Sequence, residues 1–495
     1  MQKQDALLIF PPVALNMRMP EMGLPQISAW LKSRGKTSKV LDLNIIFLSE
    51  WIKTKETDEI LFRRWNARSP EFKKLCPKHS FSQEYAEMEH VKQINYIRSY
   101  TPLLNPDNSS WQLNDIIQKA YEKDELFEKF YCKYLAPEAD TSKLIGFELM
   151  NHEQLPAVLY FARRIKEDFP GKTIAAGGPW ATASQSALPK WQPLFSLIDF
   201  VCLYAGEKTI EAAIDFTNGK CKKEDIPSIV WQENGTIREN KLSPFPDLSK
   251  TPMPDYSDLP LRLYPKQCLP ARNSSGCVWG KCIFCYHCFP RNKYNERNTE
   301  QTALEMKALA DKHNLRRFSM ADLAIPSHQL AELAKNLIKI KANVTWESLT
   351  RADMAFSENF TKLLYLSGCR QLFVGVEIDD PEERQRLKKG IKEGNFEKML
   401  ESCMKSGLRL DAFLLNYPGI SEEKLNESMR YFEKLKENSN GTLSLVIADF
   451  ELGRASNSIQ YLDFFGITLP ENIDTDVRSF SLPFNTNKPW KKIFL

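Results

Sequence analysis

Short, uniformly apolar runs alternate along this chain with stretches whose apolar residues recur every three or four positions. The run ALLIF at 6–10 has no polar alternation, which predicts a strand covered on both faces. Leu24, Ile27 and Leu31 then share one helical face, and Gly35 is placed to end that helix. SKVLDLN at 38–44 predicts a second strand, with Asp42 and Asn44 at its end. The same rhythm returns at 143–149 (KLIGFEL), 172–179 (KTIAAGGP) and 197–207 (LIDFVCLYAGE), with helical patterns at 154–171 and 208–219 between and after them. Strands separated by helices pair in parallel. The expectation is a doubly wound, Rossmann-like five-stranded sheet over 1–218, interrupted at about 50–140 by a charged and aromatic helical insertion. Ligands of such sheets sit at the carboxyl ends of the strands, which gathers Pro11, Pro12, Asn44, Glu148, Gly177, Gly178 and Gly206 around one crevice.

The pattern then changes. Residues 226–240 read as a hairpin turning at Asn234-Gly235, and 243–261 carry five prolines in nineteen residues, too many for a helix or an inner strand. We assign 219–270 to a Pro-rich linker that includes the hairpin. From 271 the alternation resumes, with strands expected at 316–325, 343–351, 371–378, 409–419 and 443–453. Repeated β-α units predict a partial (β/α)6 barrel over 271–470, with its site at the carboxyl ends of the strands, followed by a tail at 471–495. The fold class is α/β throughout.

A chain of 495 residues exceeds one ordinary core, in keeping with two domains. Its net charge of +4 gives no reason to expect nucleic acid or an acidic membrane as partner. No stretch approaches the ~18 apolar residues of a membrane span, and Asp5 stands where a secretory leader is basic. These features predict a cytoplasmic protein, in which eleven cysteines are ligands or buried apolar groups rather than disulfides.

Four of those cysteines crowd into SSGCVWGKCIFCYHCFP: Cys277, Cys282, Cys285 and Cys288. Disulfides fit poorly in a reducing compartment. Structural zinc takes Cys pairs separated by a dozen or more residues. Burial as plain apolar side chains fits poorly with Gly276, Gly280 and Lys281 beside them. An iron–sulfur cluster, each thiolate reaching a different iron, suits a tight loop best; zinc and simple burial stay open on spacing alone.

GCVWGKCIFC resembles the cluster loop of radical S-adenosylmethionine (SAM) enzymes, with Phe284 as the aromatic residue before the third cysteine. The spacing is four then two, where three then two is usual. The resemblance spans roughly 271–466. It implies that Cys277, Cys282 and Cys285 hold a 4Fe–4S cluster, with one iron left open for SAM, and that Cys288 lies outside the motif. By the same resemblance Phe284, Asp322, Glu347, Arg351 and Glu377 are cofactor-binding, Arg351 gripping the SAM carboxylate. The GGE segment of many members is absent, and Asn416 replaces the first Gly of a Gly-x-Pro-Gly turn. LLIFPP, MGLPQISAWLKSRG, VLDLN, AAGGPWAT and DFVCLYAGEKTIEAAI resemble, in that order, the cobalamin-binding domain that precedes the barrel in one large group of these enzymes. That implies cobalamin as a further cofactor, near Pro12, Gly177, Gly178 and Gly206, without the Asp-x-His-x-x-Gly histidine. The group implies a C-methyltransferase acting on an unactivated carbon of a peptide or secondary metabolite. Its partners would be that substrate and an external electron donor of flavodoxin or ferredoxin type. Rearrangement or cyclisation without methyl transfer, and a four-Cys electron-transfer module, are the alternatives.

Overall fold

The computed structural model describes residues 3–14, 18–57, 59–60, 103, 111–287, 293–352 and 356–493. The chain forms two compact units: Met1–Pro246 with Thr251–Lys266 and Asp474–Ser479, and Asp247–Lys250 with Gln267–Ile473 and Phe480–Leu495.

The first unit is built on a seven-stranded sheet. In chain order the strands are β1 (Gln4–Phe10), β2 (Ser38–Asp42), β3 (Ser142–Glu148), β4 (Thr173–Gly177), β5 (Phe200–Cys202), β6 (Ile229–Glu233) and β7 (Thr236–Glu239). They lie side by side as β2-β1-β3-β4-β5-β6-β7. The first five are mutually parallel. All of 6–10 is buried, as the unalternated apolar run requires of a strand covered on both faces. The strand order reverses between β1 and β3, so the switch point lies there. Helix α1 (Gly23–Ser33) connects β1 to β2. The helix Leu155–Asp168 buries Leu155, Val158, Leu159, Ala162 and Ile165, a stripe at three- and four-residue spacing.

Two segments lie elsewhere than the sequence pattern places them. The hairpin assigned to the linker belongs to the sheet: β6 pairs antiparallel with β5, and β7 with β6. Asn234 and Gly235 both have positive φ, as the tight turn demands. Strand β5 is only three residues long, and without the hairpin its outer edge would have no strand partner. Part of the tail is also integral. Trp180 Nε1 and Trp191 Nε1 donate to the carbonyls of Val477 and Asp474, each at 2.8 Å, and Val477 is fully buried.

Most of the predicted insertion, 61–102 and 104–110, lies outside the described residues. Its last third is helical: Leu113–Tyr121, Glu125–Phe130 and onward to Ala139. Phe127 and Phe130 lie 5.4 and 5.2 Å from the ring of Phe47, so this part joins the core of the first unit.

The second unit carries β8 (Leu269–Ala271), a short ribbon of β9 (Ser274–Ser275) and β10 (Asn295–Glu296), then β11 (Arg317–Met320), β12 (Thr345–Thr350), β13 (Cys369–Glu377), β14 (Arg409–Asn416) and β15 (Leu443–Asp449). Six of them form one parallel sheet, β15-β14-β13-β12-β11-β8, with edges at β8 and β15. Leu372, Val374 and Val376 are buried, while the alternate positions Gln371, Phe373 and Gly375 are half-buried, the period-two signature of a strand with different environments on its two faces. Asn298, Ser357, Asp380 and Ser421 cap the helices that follow them. Asn416 Nδ2 donates to Asp449 Oδ1 (2.6 Å) and to the Lys491 carbonyl (2.9 Å), tying the ends of β14 and β15 together. Among the described residues no helix is long and apolar enough to cross a membrane.

Candidate functional site

The cysteine loop leaves the carboxyl end of β8. Gly276 and Gly280 take positive φ, which lets the chain double back within a few residues. Cys282 is buried, and Cys277 and Cys285 are half-buried. Cys288 lies outside the described residues. Among the described residues no three His, Cys, Asp or Glu side chains converge as ligands of a single ion. A four-iron cluster asks for something different, one thiolate on each of three irons.

This loop rests on the segment after β13. Ile283 N donates to the Leu387 carbonyl (3.2 Å) and Trp279 Nε1 to the Lys388 carbonyl (2.7 Å). Gly390 takes positive φ, and a Cβ there would overlap the Trp279 indole. On the other side Asn457 Nδ2 donates to the carbonyls of Gly280 (2.9 Å) and Cys282 (3.3 Å). Trp279 and Asn457 carry no signal in the sequence; only the close approach of distant segments reveals them.

Two buried cations face this loop. Lys389 Nζ donates to Glu377 Oε1 at 2.6 Å and stands 5.7 Å from the centre of the Phe284 ring. Arg351 Nη2 donates to the Lys389 carbonyl at 2.6 Å, and its guanidinium stacks 4.8 Å from the Trp279 ring centre. Burial pushes the Cys282 thiol up to about 11, and Lys389 and Arg351 oppose that shift. Burial lowers Lys389, but the Glu377 carboxylate and Cys282 together outweigh it and the net shift is upward. A buried thiol, Cys282, that feels two buried cations, on a loop carrying two further thiols, fits an anionic iron–sulfur–thiolate centre, because the metal ionises the thiols and nearby positive charge favours the ionised form.

Glu377 sits at φ +66° beside an irregularity in the β13–β14 register. A left-handed non-glycine residue is sparsely populated and is held by its surroundings. The surroundings here are Lys389 and Gly375: a Cβ on Gly375 would overlap Glu377 Oε1 and lie 2.7 Å from Lys389 Nζ. Glu377 is thus bound within the protein as an ion pair, and Arg351 braces the Lys389 loop.

The other barrel residues separate. Asp322 accepts from Asn273 N (3.0 Å), Ser274 N and Ser274 Oγ (2.5 Å), so it pins the start of the cysteine loop. Burial raises it to about 6 against those hydrogen bonds. Phe284 packs against the core of Ile283, Ile378 and Leu387. Glu347 is bound to Arg317 (3.1 Å) and Ser319 (2.9 Å). It lies four residues before Arg351, about 13 Å at strand rise, away from the strand ends where the loop is seated.

In the first unit three acids stand at or near the strand ends, Asp42 buried and Glu148 and Glu21 half-buried. Glu148 ends β3 and Asp42 ends β2, and Glu21 precedes α1. Loss of solvent raises them to about 8, 6 and 7 respectively, helped at Glu148 by repulsion from Glu21 and Asp42 and at Glu21 by repulsion from Asp42. Tyr264 donates to Asp42 Oδ2 at 2.5 Å. Glu148 accepts from Leu24 N in the first turn of α1, and a Cβ on Gly23 would overlap its Oε1. Its Oε2 is buried and has no hydrogen-bond partner among the described residues. That orphaned oxygen, at the switch-point strand, suits a ligand rich in amide groups, since a carboxyl that keeps its proton both donates and accepts. A cobalamin ring edged with amides fits this donor set.

The glycines nearby also have internal duties. Gly178 takes φ +93°, and a Cβ there would come 2.6 Å from the Leu149 carbonyl; on Gly206 it would meet Ile27 at 2.8 Å, and on Gly177 Cys202 at 3.3 Å. Pro12 is buried, and the Pro11 carbonyl beside it accepts from Gln154 Nε2 at 2.8 Å.

A pH test follows from Glu148. Folded, it keeps its proton up to about pH 8; unfolded, it releases it near 4.5. Its stabilising share is full below the lower value and lost as pH rises through the upper one. Glu148→Gln is expected to flatten that decline, raising the melting temperature at the alkaline end by about 5 °C relative to the parent. Thermal melts across that window check it; a parallel pair of curves would refute the assignment.

No protein-family model and no curated protein matches the chain. Solved structures do. The radical SAM methyltransferase TsrM from Kitasatospora setae, in complex with tryptophan substrate and a SAM analogue, is 14% identical, with a TM-score of 0.61 over 93% of this chain and 76% of TsrM. The cobalamin-dependent SAM radical enzyme OxsB, with aqua-cobalamin and SAM bound, is 13% identical, with a TM-score of 0.64 over 97% of this chain and 64% of OxsB. The chain therefore spans just under two thirds of OxsB. At these identities the likeness establishes the fold alone: a doubly wound domain followed by a partial α/β barrel.

Proposed function

We propose that this protein is a cobalamin-dependent radical SAM enzyme that methylates an unactivated carbon of a small molecule or peptide. The observation that carries the reading is the three-thiol loop at the carboxyl end of β8, seated against buried Lys389 and Arg351, in a chain with the fold of TsrM and OxsB. Cys277, Cys282 and Cys285 would hold a 4Fe–4S cluster, leaving one iron for SAM. Glu148, with Pro12 and the Gly177–Gly178 turn, would hold cobalamin in the first unit. When bound, these groups supply one-electron cleavage of SAM and methyl delivery, chemistry that no side chain provides.

The chain's own contribution is placement. Asp322 anchors the start of the loop, Asn457 and the 387–390 segment hold its middle, and Trp279 is clamped between Gly390 and Arg351. The Glu377–Lys389 pair is internally neutral, so it adds one positive end near Cys282 without leaving a buried net charge.

Anaerobic reconstitution with iron, sulfide and cobalamin tests the reading. The expected result is a cluster with SAM-responsive spectra, bound cobalamin, and 5′-deoxyadenosine with a methylated product. Zinc in place of iron, or refusal of cobalamin once the cluster is filled, would overturn it. Cleavage of SAM without a methylated product would favour rearrangement or cyclisation. A four-thiol electron-transfer centre would need Cys288. Cys288→Ala is expected to keep the full iron content and still release 5′-deoxyadenosine; loss of the iron from this variant, with no 5′-deoxyadenosine from the parent, would establish the four-thiol alternative.

A further inference from the structure

The two faces of the six-stranded sheet differ. On β13 one face carries Leu372, Val374 and Val376, all buried. The other face is open. In-register neighbours of a sheet share a face, which sets Leu349, Phe373 and Asp411 side by side, and one step further along Gly375, Phe413 and Val446. Leu349 is 39% exposed and Val446 38%. Phe373 and Phe413 are half-buried, with ring centres 6.4 Å apart. Parallel sheets ordinarily have both faces covered, so four large apolar side chains left open in the middle of one form a surface made to be covered by a ligand.

The open face has two unlike ends. Towards the carboxyl ends of the strands it meets the Glu377–Lys389 pair, since a Cβ on Gly375 would lie 2.7 Å from Lys389 Nζ. Towards the amino ends it meets Asp411, two residues before Phe413 and so about 7 Å away at strand rise. Asp411 Oδ2 accepts from Gln371 Nε2 at 2.7 Å. Its Oδ1 is buried and has no hydrogen-bond partner among the described residues. Loss of solvent raises this carboxyl and the Glu347 charge adds to the rise, against Gln371 and Arg409. A buried acceptor left unmet is costly. A positively charged donor placed there meets it and also offsets the repulsion from Glu347.

We propose that this face selects the substrate: an aromatic body lies across Leu349, Phe373, Phe413 and Val446, and a protonated amine on that body donates to Asp411 Oδ1. The inference rests on the proposed function and names the substrate class for it, an aromatic amine. Charge complementarity sets the choice of amine, because a carboxylate in the same place would meet Asp411 and Glu347. Asp411 is then a specificity residue. It fixes the amine end, so the part of the substrate presented towards the Glu377–Lys389 pair lies on the far side of the aromatic body.

The test is the binding of three probes of similar shape to the reconstituted protein: phenethylamine, 2-phenylethanol and 3-phenylpropionate. Each is titrated by ligand-observed NMR at neutral pH against the parent and against Asp411→Asn, which keeps the shape of the side chain. The parent is expected to bind phenethylamine roughly tenfold more tightly than 2-phenylethanol, the scale of a charge-assisted hydrogen bond, and 3-phenylpropionate most weakly. In Asp411→Asn the preference for the amine should vanish while 2-phenylethanol binds as before, which also reports that the variant is folded. Equal affinity of the parent for the amine and the alcohol would overturn the inference. So would tightest binding of 3-phenylpropionate, no binding of any probe, or an undiminished amine preference in Asp411→Asn. Failure to load the cluster or cobalamin would sink the proposed function instead, while the probe titration on the same preparation still decides this face.

Discussion

Cys282→Ala is expected to remove the iron centre and lower SAM cleavage by more than about 100-fold, beyond the 10–100-fold typical of losing an outer partner of a metal site. The side chain is buried, and burial holds its thiol up at about 11. Such a thiol does not ionise at neutral pH by itself; binding to metal is what removes its proton. With alanine there, two thiols on a loop held at its ends cannot reach three irons. Cys277→Ala and Cys285→Ala should behave alike. Cys403→Ala serves as the contrast. That thiol is equally buried, with its own ionisation pushed up to about 12, but it belongs to the helix Asn395–Ser406. It should cost stability and leave the iron in place. Iron and sulfide content with the cluster's visible absorption are the readouts, and a Cys282→Ala protein that keeps its cluster and cleaves SAM would refute the ligand set.

Lys389→Met is expected to destabilise the second unit by about 3–5 kcal/mol, because it strands the Glu377 carboxylate in a buried site. In a domain of this size that is a fall of roughly 10 °C in melting temperature. The pair is close (2.6 Å) and both side chains are under 10% exposed, so solvent cannot take the place of the lost ammonium. Combining Lys389→Met with Glu377→Gln should recover most of the loss, since removing both charges of a buried pair is commonly neutral. Chemical denaturation of the cluster-free protein measures this without interference from the metal. Equal stability of the single and double variants would show that the ion pair is not what holds Glu377 in its left-handed conformation.

The crowding of thiols in the cysteine loop was legible because its evidence is local: three thiols, two glycines and an aromatic residue before the third thiol within ten positions. The same holds for β1 to β5 and β11 to β15, whose apolar runs need no knowledge of partners, but not for β8 (Leu269–Ala271), three residues that the Pro-rich linker of the sequence reading concealed. The internal partners of Glu377 and Glu347 were not legible. Both stand on strands of the barrel, but only the packed structure shows Glu377 bound to a lysine twelve residues later, and Glu347 paired near the start of its strand. Arg351 lies at the strand end as expected, yet its guanidinium is engaged by the Lys389 carbonyl and Trp279, a contact that joins three separate segments. The Asn-Gly turn specified the 229–239 hairpin, but its conformation says nothing about which sheet edge will accept it.

The amino-acid sequence alone determined the elements, their parallel order, the two-domain α/β class and the clustering of thiols, because periodicity, turn chemistry and cysteine spacing act over a few residues. Tertiary structure decided which segments meet: the hairpin on β5, residues 474–479 under Trp180 and Trp191, Trp279 on Gly390, and Glu148 against the first turn of α1. Those contacts depend on which buried surfaces and unpaired polar groups remain once the strands have assembled, and that is a property of the whole packed unit rather than of any window of the chain.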